Sequence, residues 1–438
     1  MRLIFNDRRK NGKLDLEAVE IAIRSAMHQA GAAALTELLQ FPEPTADQRA
    51  IPCSCGGQAR YLGLRSKTFL SALGNARAVR PYYYCKPCQS GQFPADVELD
   101  IHKLECSPGV RRMKAILGQD DPFGRAPREM KLLAGLDVTA KSVERTAEVI
   151  GAAIAKRETL QIQQAKQLLT FPEADAGPVP ILYIQMDGTG IPTVKKETEK
   201  RKGKTAGESA HTREVKLGCV FTQTTWDKDG YAVRDPDSTT YTGAIEPAAQ
   251  FGDRLYLEAW RRGWKHAHTK VVMGDGAEWI WNLAAQHFPG ALQIVDLYHA
   301  REHLAEIARG IYPEPQDEIP RKRWINLHQP LLDQGKIKKL TLALRSISTP
   351  NAPLAHKIHL EIEYFRRNAM RMRYPKFRRL HLFVGSGVIE AGCKTVIGQR
   401  LKQSGMSWTL NGANAIIALR CCVFNRRFED YWESRRSA

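Results

Sequence analysis

Apolar positions recur at helical spacing between residues 14 and 39, at Leu16, Val19, Ile21, Ile23 and Ala26 and again from Leu35 to Leu39. That period predicts an amphipathic helix, closed by Pro42 and Pro44. From residue 51 to about 94 the pattern changes to strand character, with an aromatic run at Tyr82, Tyr83 and Tyr84. Helical spacing returns over 108–169. Within it, 130–136 and 142–156 read as two helices around a turn at Asp137-Val138-Thr139, with Thr139 or Ser142 as the cap. A Pro/Gly/Ala-rich linker follows at 171–180.

Beyond the linker, short apolar runs alternate with helical segments. Residues 179–186 form a buried-strand signature ending in Asp187-Gly188, and 215–223 and 238–244 read as two further strands. A helix over 246–263 leads to a strand at 270–273, which ends in Gly274-Asp275-Gly276. A helix over 278–288, a strand over 292–295 ending at Asp296, and a helix over 298–311 complete the alternation. This order predicts a largely parallel sheet with an antiparallel start. Residues 312–383 read as a helical, basic insertion, and 386–403 and 410–432 as two closing helices. The charge run at 195–204 reads as a loop, and no internal repeat is visible.

Composition narrows the function. With 438 residues, two or three domains are expected, and 43% hydrophobic residues suffice for a buried core. Lys and Arg total 65 against 47 Asp and Glu, a formal charge of +18. Such an excess favours a polyanion, nucleic acid first, although a basic surface alone would account for it. The amino-terminal stretch lacks a signal-peptide core and no apolar run approaches ~20 residues, so a cytosolic protein without a membrane partner is expected. In that compartment nine cysteines are unsuited to a disulfide framework.

Three constellations carry chemistry. Cys53-Ser-Cys55 and Cys85-Lys-Pro-Cys88 offer two thiol pairs, each on one turn, which predicts a structural four-thiolate zinc site of zinc-ribbon type. Cys106, Cys219, Cys393, Cys421 and Cys422 lie in apolar contexts and read as core. Asp187 and Asp275 each follow a buried run beside glycine, where a carboxylate faces the crevice at the carboxyl ends of strands and can hold a hard cation. Glu390 lies in the first turns of a helix behind Gly385-Ser-Gly387, a position that the helix dipole favours even without a function.

Together these segments resemble the DDE transposases of bacterial insertion sequences, particularly the Kra-type group and its Mutator-like relatives. The resemblance rests on Tyr83-Tyr84-Cys85-x-x-Cys88, Met186-Asp-Gly-Thr-Gly190, Arg213 to Val220, Gly274-Asp-Gly-Ala-Glu-Trp279 and the 386–403 helix. It implies a multidomain chain: an α/β RNase H-like catalytic core with a helical insertion, preceded by a zinc ribbon and a helical DNA-binding region. The expected division begins with 1–50 helical, 51–107 zinc-ribbon-like and 108–170 helical with a possible helix-turn-helix. The catalytic core then occupies 178–311 and 384–438, on either side of the insertion at 312–383. The resemblance further implies that Asp187, Asp275 and Glu390 form a triad for two Mg2+ or Mn2+ ions. DNA cleavage and strand transfer would follow, in the bacterial cytoplasm at the nucleoid.

The same relatives carry an Asp or Cys, two residues, then His after the second aspartate. That pattern implies a role for His299 at a phosphate or in proton transfer, with Asp296 orienting it; a plain helix cap at Asp296 is the alternative. The expected partner is double-stranded DNA, bound by a homodimer or higher oligomer because two transposon ends must be held. Candidate DNA contacts are Lys394, Arg400 and Lys402 along the Glu390 helix, Lys141 and Arg145 in the helix-turn-helix, and Arg371 and Arg373 in the insertion. A solvated helix face and a plain helical hairpin explain several of these equally well. Two other functions are compatible with the motifs: an RNase H-like nuclease or resolvase that does not join strands, and a non-catalytic DNA-binding regulator.

Overall fold

A computed structural model of the chain describes residues 9–10, 13–168, 171, 179–199, 201 and 210–435. Most of the linker lies outside them, as do residues 200 and 202–204 of the 195–204 charge run. The protein is a multidomain α/β chain with a mixed sheet and many helices, and it divides into two compact units, Met1–Val149 and Ile150–Ala438. Among the described residues no helix is long and apolar enough to cross a membrane.

In the first unit, Asp15 caps helix α1 (Leu16–Leu38) through the Ala18 N–H at 3.2 Å. Strands β1 (Ala50–Pro52), β2 (Gln58–Ser71), β3 (Gly74–Cys85) and β4 (Ser90–Gln92) form an antiparallel sheet in sequential order. Phe69, Ala76, Ala78 and Ile101 are buried together with Leu35 and Leu39 of the α1 end packed on them. Arg80 and Asp96, both almost fully buried, form a two-pronged ion pair at 2.6 and 3.0 Å. Helix α2 (Pro108–Asp120) starts on a Ser107 cap with proline at its head. A short helical stretch ends at Gly135 in the left-handed region (φ 67°), and Thr139 then caps the Ser142 N–H at 3.2 Å. Helix α3 (Ala140–Leu168) follows as one continuous helix, longer than the spacing predicted, and its residues are divided between the two units.

The second unit is built on a five-stranded sheet. Its strands are β5 (Val179–Pro192), β6 (Thr212–Gln223), β7 (Thr240–Ala244), β8 (Ala267–Gly274) and β9 (Leu292–Val295), in the order β7-β6-β5-β8-β9. β6 is antiparallel to β5 and β7, whereas β8 is parallel to both β5 and β9. The antiparallel start is present, but with two antiparallel and two parallel pairings the sheet is mixed rather than largely parallel. Leu182, Tyr183, Ile184, Gln185 and Met186 are all fully buried, as expected of a central strand covered on both faces.

Adjacent residues of β6 show what covers each face. A Cβ on Gly218 would meet Phe251 and Leu255 of α4 (Ala248–Arg261), while Leu217 lies against Gly392 of α10 (Gly387–Gly392) on the other side. Between these come α5 (Glu278–His287), α6 (Leu297–Ile311), α7 (Glu318–Asp333), α8 (Ile337–Arg345) and α9 (Ala352–Asn368). The last three form the helical stretch expected at 312–383. Tyr364 and Phe365 of α9, and Tyr374 and Phe377 of the short helix Tyr374–Arg379 that follows, are buried, so they pack rather than stack on a ligand.

Helix α11 (Leu410–Phe424) crosses α3 closely, and a Cβ on Gly151 would stand 2.0 Å from the Ala415 carbonyl oxygen. Because that obstacle is backbone, Gly151→Ala must push two helices apart. The expected cost is about 1–3 kcal/mol or more, lowering Tm by roughly 5–10 °C in a thermal melt. Gly387→Ala, where an added methyl meets nothing within 4 Å, should leave Tm unchanged and serves as the control.

Three expectations change. Strand β5 does not stop at Asp187 but runs on to Pro192, paired only with β6 beyond Gln185. The 386–403 helix is interrupted by a wide π turn at Cys393–Gly398. The 410–432 helix is broken: α11 ends at Phe424, Arg426 takes φ +59°, and a separate helix, Phe428–Ser434, follows.

Candidate functional site

The four cysteines of the first unit converge. Cys53 and Cys55 flank the turn between β1 and β2, and Cys85 and Cys88 the turn between β3 and β4. The four Sγ atoms lie within 4.8 Å of one another, with Cys53–Cys88 at 3.5 Å and Cys55–Cys85 at 3.6 Å. Tetrahedral zinc with thiolates at ~2.3 Å needs sulfurs about 3.8 Å apart, so the donor set and its dimensions fit that ion. The cluster can bind zinc, and four thiolates leave no open position for a substrate. Thiol ionisation is staggered. The Cys55 backbone N–H pulls the Cys53 thiol down to about 6. Cys85, despite a Cys88 N–H that favours its thiolate, is pushed up to about 12 by burial and by its neighbouring thiols.

In the second unit, one face of β5 is laid against residues 383–402 rung by rung. Side chains two apart on a strand share a face, and here each makes a contact. The Tyr183 hydroxyl accepts the Phe383 N–H (3.3 Å), and Gln185 Oε1 accepts the Ile389 N–H (3.0 Å). Asp187 Oδ2 accepts the Cys393 thiol (3.4 Å), and the Lys402 ammonium donates to Thr189 Oγ1. The helix bearing Glu390 is thus aligned on the strand bearing Asp187. The π turn leaves helical carbonyls without their usual partners, and buried Arg420 of α11 donates to Thr395 O and Val396 O at 2.7 Å.

Asp275 follows β8 and accepts the Ala277 N–H on Oδ1 at 2.9 Å. It lies close enough to Asp187 to be felt electrostatically. Burial pushes the Asp187 carboxyl above its ordinary value; the Cys393 thiol and the Gly188 N–H pull it back, Asp275 raises it further and His299 lowers it. Asp296 is fully buried. Its Oδ1 caps α6 through the His299 N–H (2.6 Å), its Oδ2 accepts the Ser386 N–H, and its own N–H donates to Gly274 O (2.9 Å). The helix cap at Asp296 is therefore present, and the same carboxylate also holds the Ser386 main chain. Glu390 is exposed and accepts the Ser386 hydroxyl at 3.0 Å, one helical turn before Cys393.

The carboxylates do not close into a cage. Among the described residues, the cysteine quartet is the group of three or more potential ligands whose donor atoms fall within 4.8 Å, and Asp187, Asp275 and Glu390 do not form one. His299 is half-exposed at the head of α6, 3.4 Å from Glu302.

The basic candidates divide. Lys141 and Arg145 are exposed at the start of α3, Lys141 paired with Glu144 at 2.7 Å. Lys394, Lys402 and Arg373 are exposed. Arg400, expected to meet phosphate, is instead fully buried, its guanidinium 5.0 Å above the Trp408 ring. One extra residue in the π turn rotates downstream side chains by about 100° relative to an α-helix, which turns this position inward. Arg371 is likewise engaged inside the fold, donating to Gln293 (2.7 Å) above the Trp281 ring at 4.5 Å. Gln185, Ser386 and Cys393 are site residues that the sequence did not single out, because a buried amide, a loop serine and an apolar-context thiol carry no spacing signal.

No protein-family model matches the chain, and no curated protein matches it. Among solved structures, the Drosophila P element transposase strand transfer complex overlays 74% of this chain and 80% of that one, at 9% identity and a TM-score of 0.24. A score this low does not establish a shared fold.

Proposed function

We propose that the protein is a DNA transposase of the DDE type, with Asp187, Asp275 and Glu390 as ligands of two divalent metal ions in an RNase H-like core. The observation that carries this reading is the alignment of residues 383–402 along β5. In it the Glu390 helix runs beside Asp187 on central strand β5, and Asp275 follows the end of neighbouring β8. The order β7-β6-β5-β8-β9, with its first three strands antiparallel and the rest parallel, supports the core expected from the sequence resemblance.

The donor set suits the ions. Carboxylate oxygens favour hard cations such as Mg2+ or Mn2+. Such ions supply an activated attacking oxygen and stabilise the leaving one. The chain's own residues orient the ligands: Gly188 N–H and Cys393 Sγ fix the Asp187 carboxylate, and Ala277 N–H fixes Asp275. Asp296 ties Gly274, α6 and the Ser386 hinge together, so the Asp275 and Glu390 segments are held in register. Lys402 and Lys394 stand on the exposed side of the Glu390 segment, where a DNA phosphate would be met. Lys141, Arg145 and Arg373 remain candidate DNA contacts, and a dimer or larger assembly would hold two ends.

The test uses the full-length, zinc-loaded protein, Mg2+ and DNA carrying the sequences that flank its reading frame. Cleavage followed by joining of a pre-cleaved 3′ end to a second duplex is the expected result. Cleavage without joined products would make it a nuclease, and binding with neither reaction would make it a regulator.

A further inference from the structure

The helical stretch expected as an insertion reaches the proposed metal site through two of its side chains, Tyr364 and Glu361, the latter by way of His303. Tyr364 on α9 is buried, and its hydroxyl donates to the Asp275 main-chain oxygen at 2.9 Å. Its ring fills the space beside Gly276, which has φ +102° and where a Cβ would lie 2.5 Å from Tyr364 Cε2. Glycine is required there both by the left-handed backbone and by the tyrosine. His303 on α6 stacks on Tyr364, with centroids 4.0 Å apart and planes at 22°. On its other side His303 meets His299 edge to face at 4.9 Å, and His299 lies near enough to Asp187 to act on it electrostatically. The arrangement is locked by Glu361, one turn before Tyr364 on α9 and 9% exposed, which is 2.7 Å from His303 Nδ1.

We infer that Tyr364 and His303 are positioning residues, through which α9 holds the Asp275–Gly276 turn and His299 in the geometry that binds metal. This rests on the reading of Asp187 and Asp275 as metal ligands. On that reading the insertion is a wall of the metal site as well as a surface for DNA. The physical case is one of pre-organisation. The Asp275 turn leaves the sheet at Gly274, so its backbone beyond that point has no strand partner to fix it. A buried hydroxyl on the turn's carbonyl replaces the missing rung. Outer partners of this kind commonly account for 10–100-fold in metal affinity when removed.

The decisive variant is Tyr364→Phe, which keeps the ring, the stack and the contact with Gly276 but deletes the hydrogen bond. Mn2+ alone is titrated into the zinc-loaded, full-length protein, and the Mn2+ dependence of DNA cleavage is measured in parallel. Tyr364→Phe should weaken Mn2+ binding and raise the half-saturating Mn2+ concentration by about tenfold, while the rate at saturating Mn2+ stays within about threefold of wild type. A variant damaged in fold would instead lose maximal rate and Tm together. His303→Phe, which retains an aromatic ring but loses Glu361, should shift Mn2+ dependence in the same direction by a smaller factor.

Unchanged Mn2+ affinity and unchanged half-saturation in folded Tyr364→Phe would overturn the inference. Asp187→Asn keeps the two claims separable. If it weakens Mn2+ binding and Tyr364→Phe does not, the positioning role alone fails. If neither does, the metal site itself is misassigned.

Discussion

Asp187→Asn is expected to reduce DNA cleavage by at least about 10³-fold while making the metal-free protein more stable. The first half follows from the several kcal/mol that a metal ion contributes to a phosphoryl transition state, at about 1.4 kcal/mol per tenfold in rate. The second follows from the direction of the Asp187 shift. Burial raises this carboxyl above its ordinary value, and Asp275 adds to the rise. The folded state therefore favours the protonated acid, and ionising it costs stability as pH climbs through the raised value. Below the ordinary carboxylate range, ~4, both states hold the proton and the penalty vanishes.

In EDTA, thermal melts of wild type and Asp187→Asn should accordingly coincide at low pH and separate near neutrality, with the variant the more stable. Added Mn2+ should stabilise wild type and not the variant. Normal cleavage by Asp187→Asn, or a wild type more stable than the variant in EDTA at pH 7, would remove Asp187 from the centre of the site.

Loss of the four-cysteine cluster should have the next largest effect, and it should be local. A structural zinc ion in a small folded peptide is worth about 10–16 kcal/mol at neutral pH. Here it would join the β1–β2 turn to the β3–β4 turn around a cluster of only Cys53, Ala59, Tyr83 and Cys85, with Ile51 and Tyr61 beside it. The far end of the same sheet has its own supports, the Phe69–Ala76–Ala78–Ile101 cluster and the Arg80–Asp96 pair.

Cys85→Ser, or chelation of the wild type, should abolish zinc content and strip hydrogen-exchange protection from residues 50–60 and 83–92, leaving 66–80 protected. Acidification should act in the same direction, since zinc must displace protons from thiols such as Cys53, at about 6, and Cys85, at about 12. Protection that survives chelation across 50–60 would mean that the apolar contacts alone hold this end.

Sequence periodicity locates the core elements well where one force dominates. The run 292–295 is a strand because Leu292, Ile294 and Val295, flanked by Pro289-Gly290 and Asp296, make too short a run for a helix and gain their burial by pairing with β8. The four cysteines are legible because two thiol pairs, each on a single turn, match the ligand spacing of a structural zinc site. The errors arise where a second chain segment decides. β5 extends past Asp187 because β6 supplies the hydrogen bonds for Gly188 to Pro192, a pairing that no local pattern announces. Spacing of 3.6 residues per turn puts Arg400 on the outside, and the π turn at Cys393–Gly398 invalidates that spacing.

What the amino-acid order determined on its own was the inventory: a zinc-competent cysteine quartet, apolar runs long enough for a central sheet, two acidic residues next to glycine, and an excess of positive charge. Those follow from side-chain chemistry and from periods of two and 3.6, both of which are local. Tertiary structure decided which groups meet. Cys393 faces Asp187 across two hundred positions, Asp296 joins three segments, and Tyr364 reaches the Asp275 turn from a distant helix. Such contacts depend on strand register and helix rotation, and both are set by how whole elements pack rather than by the residues at either end of the contact.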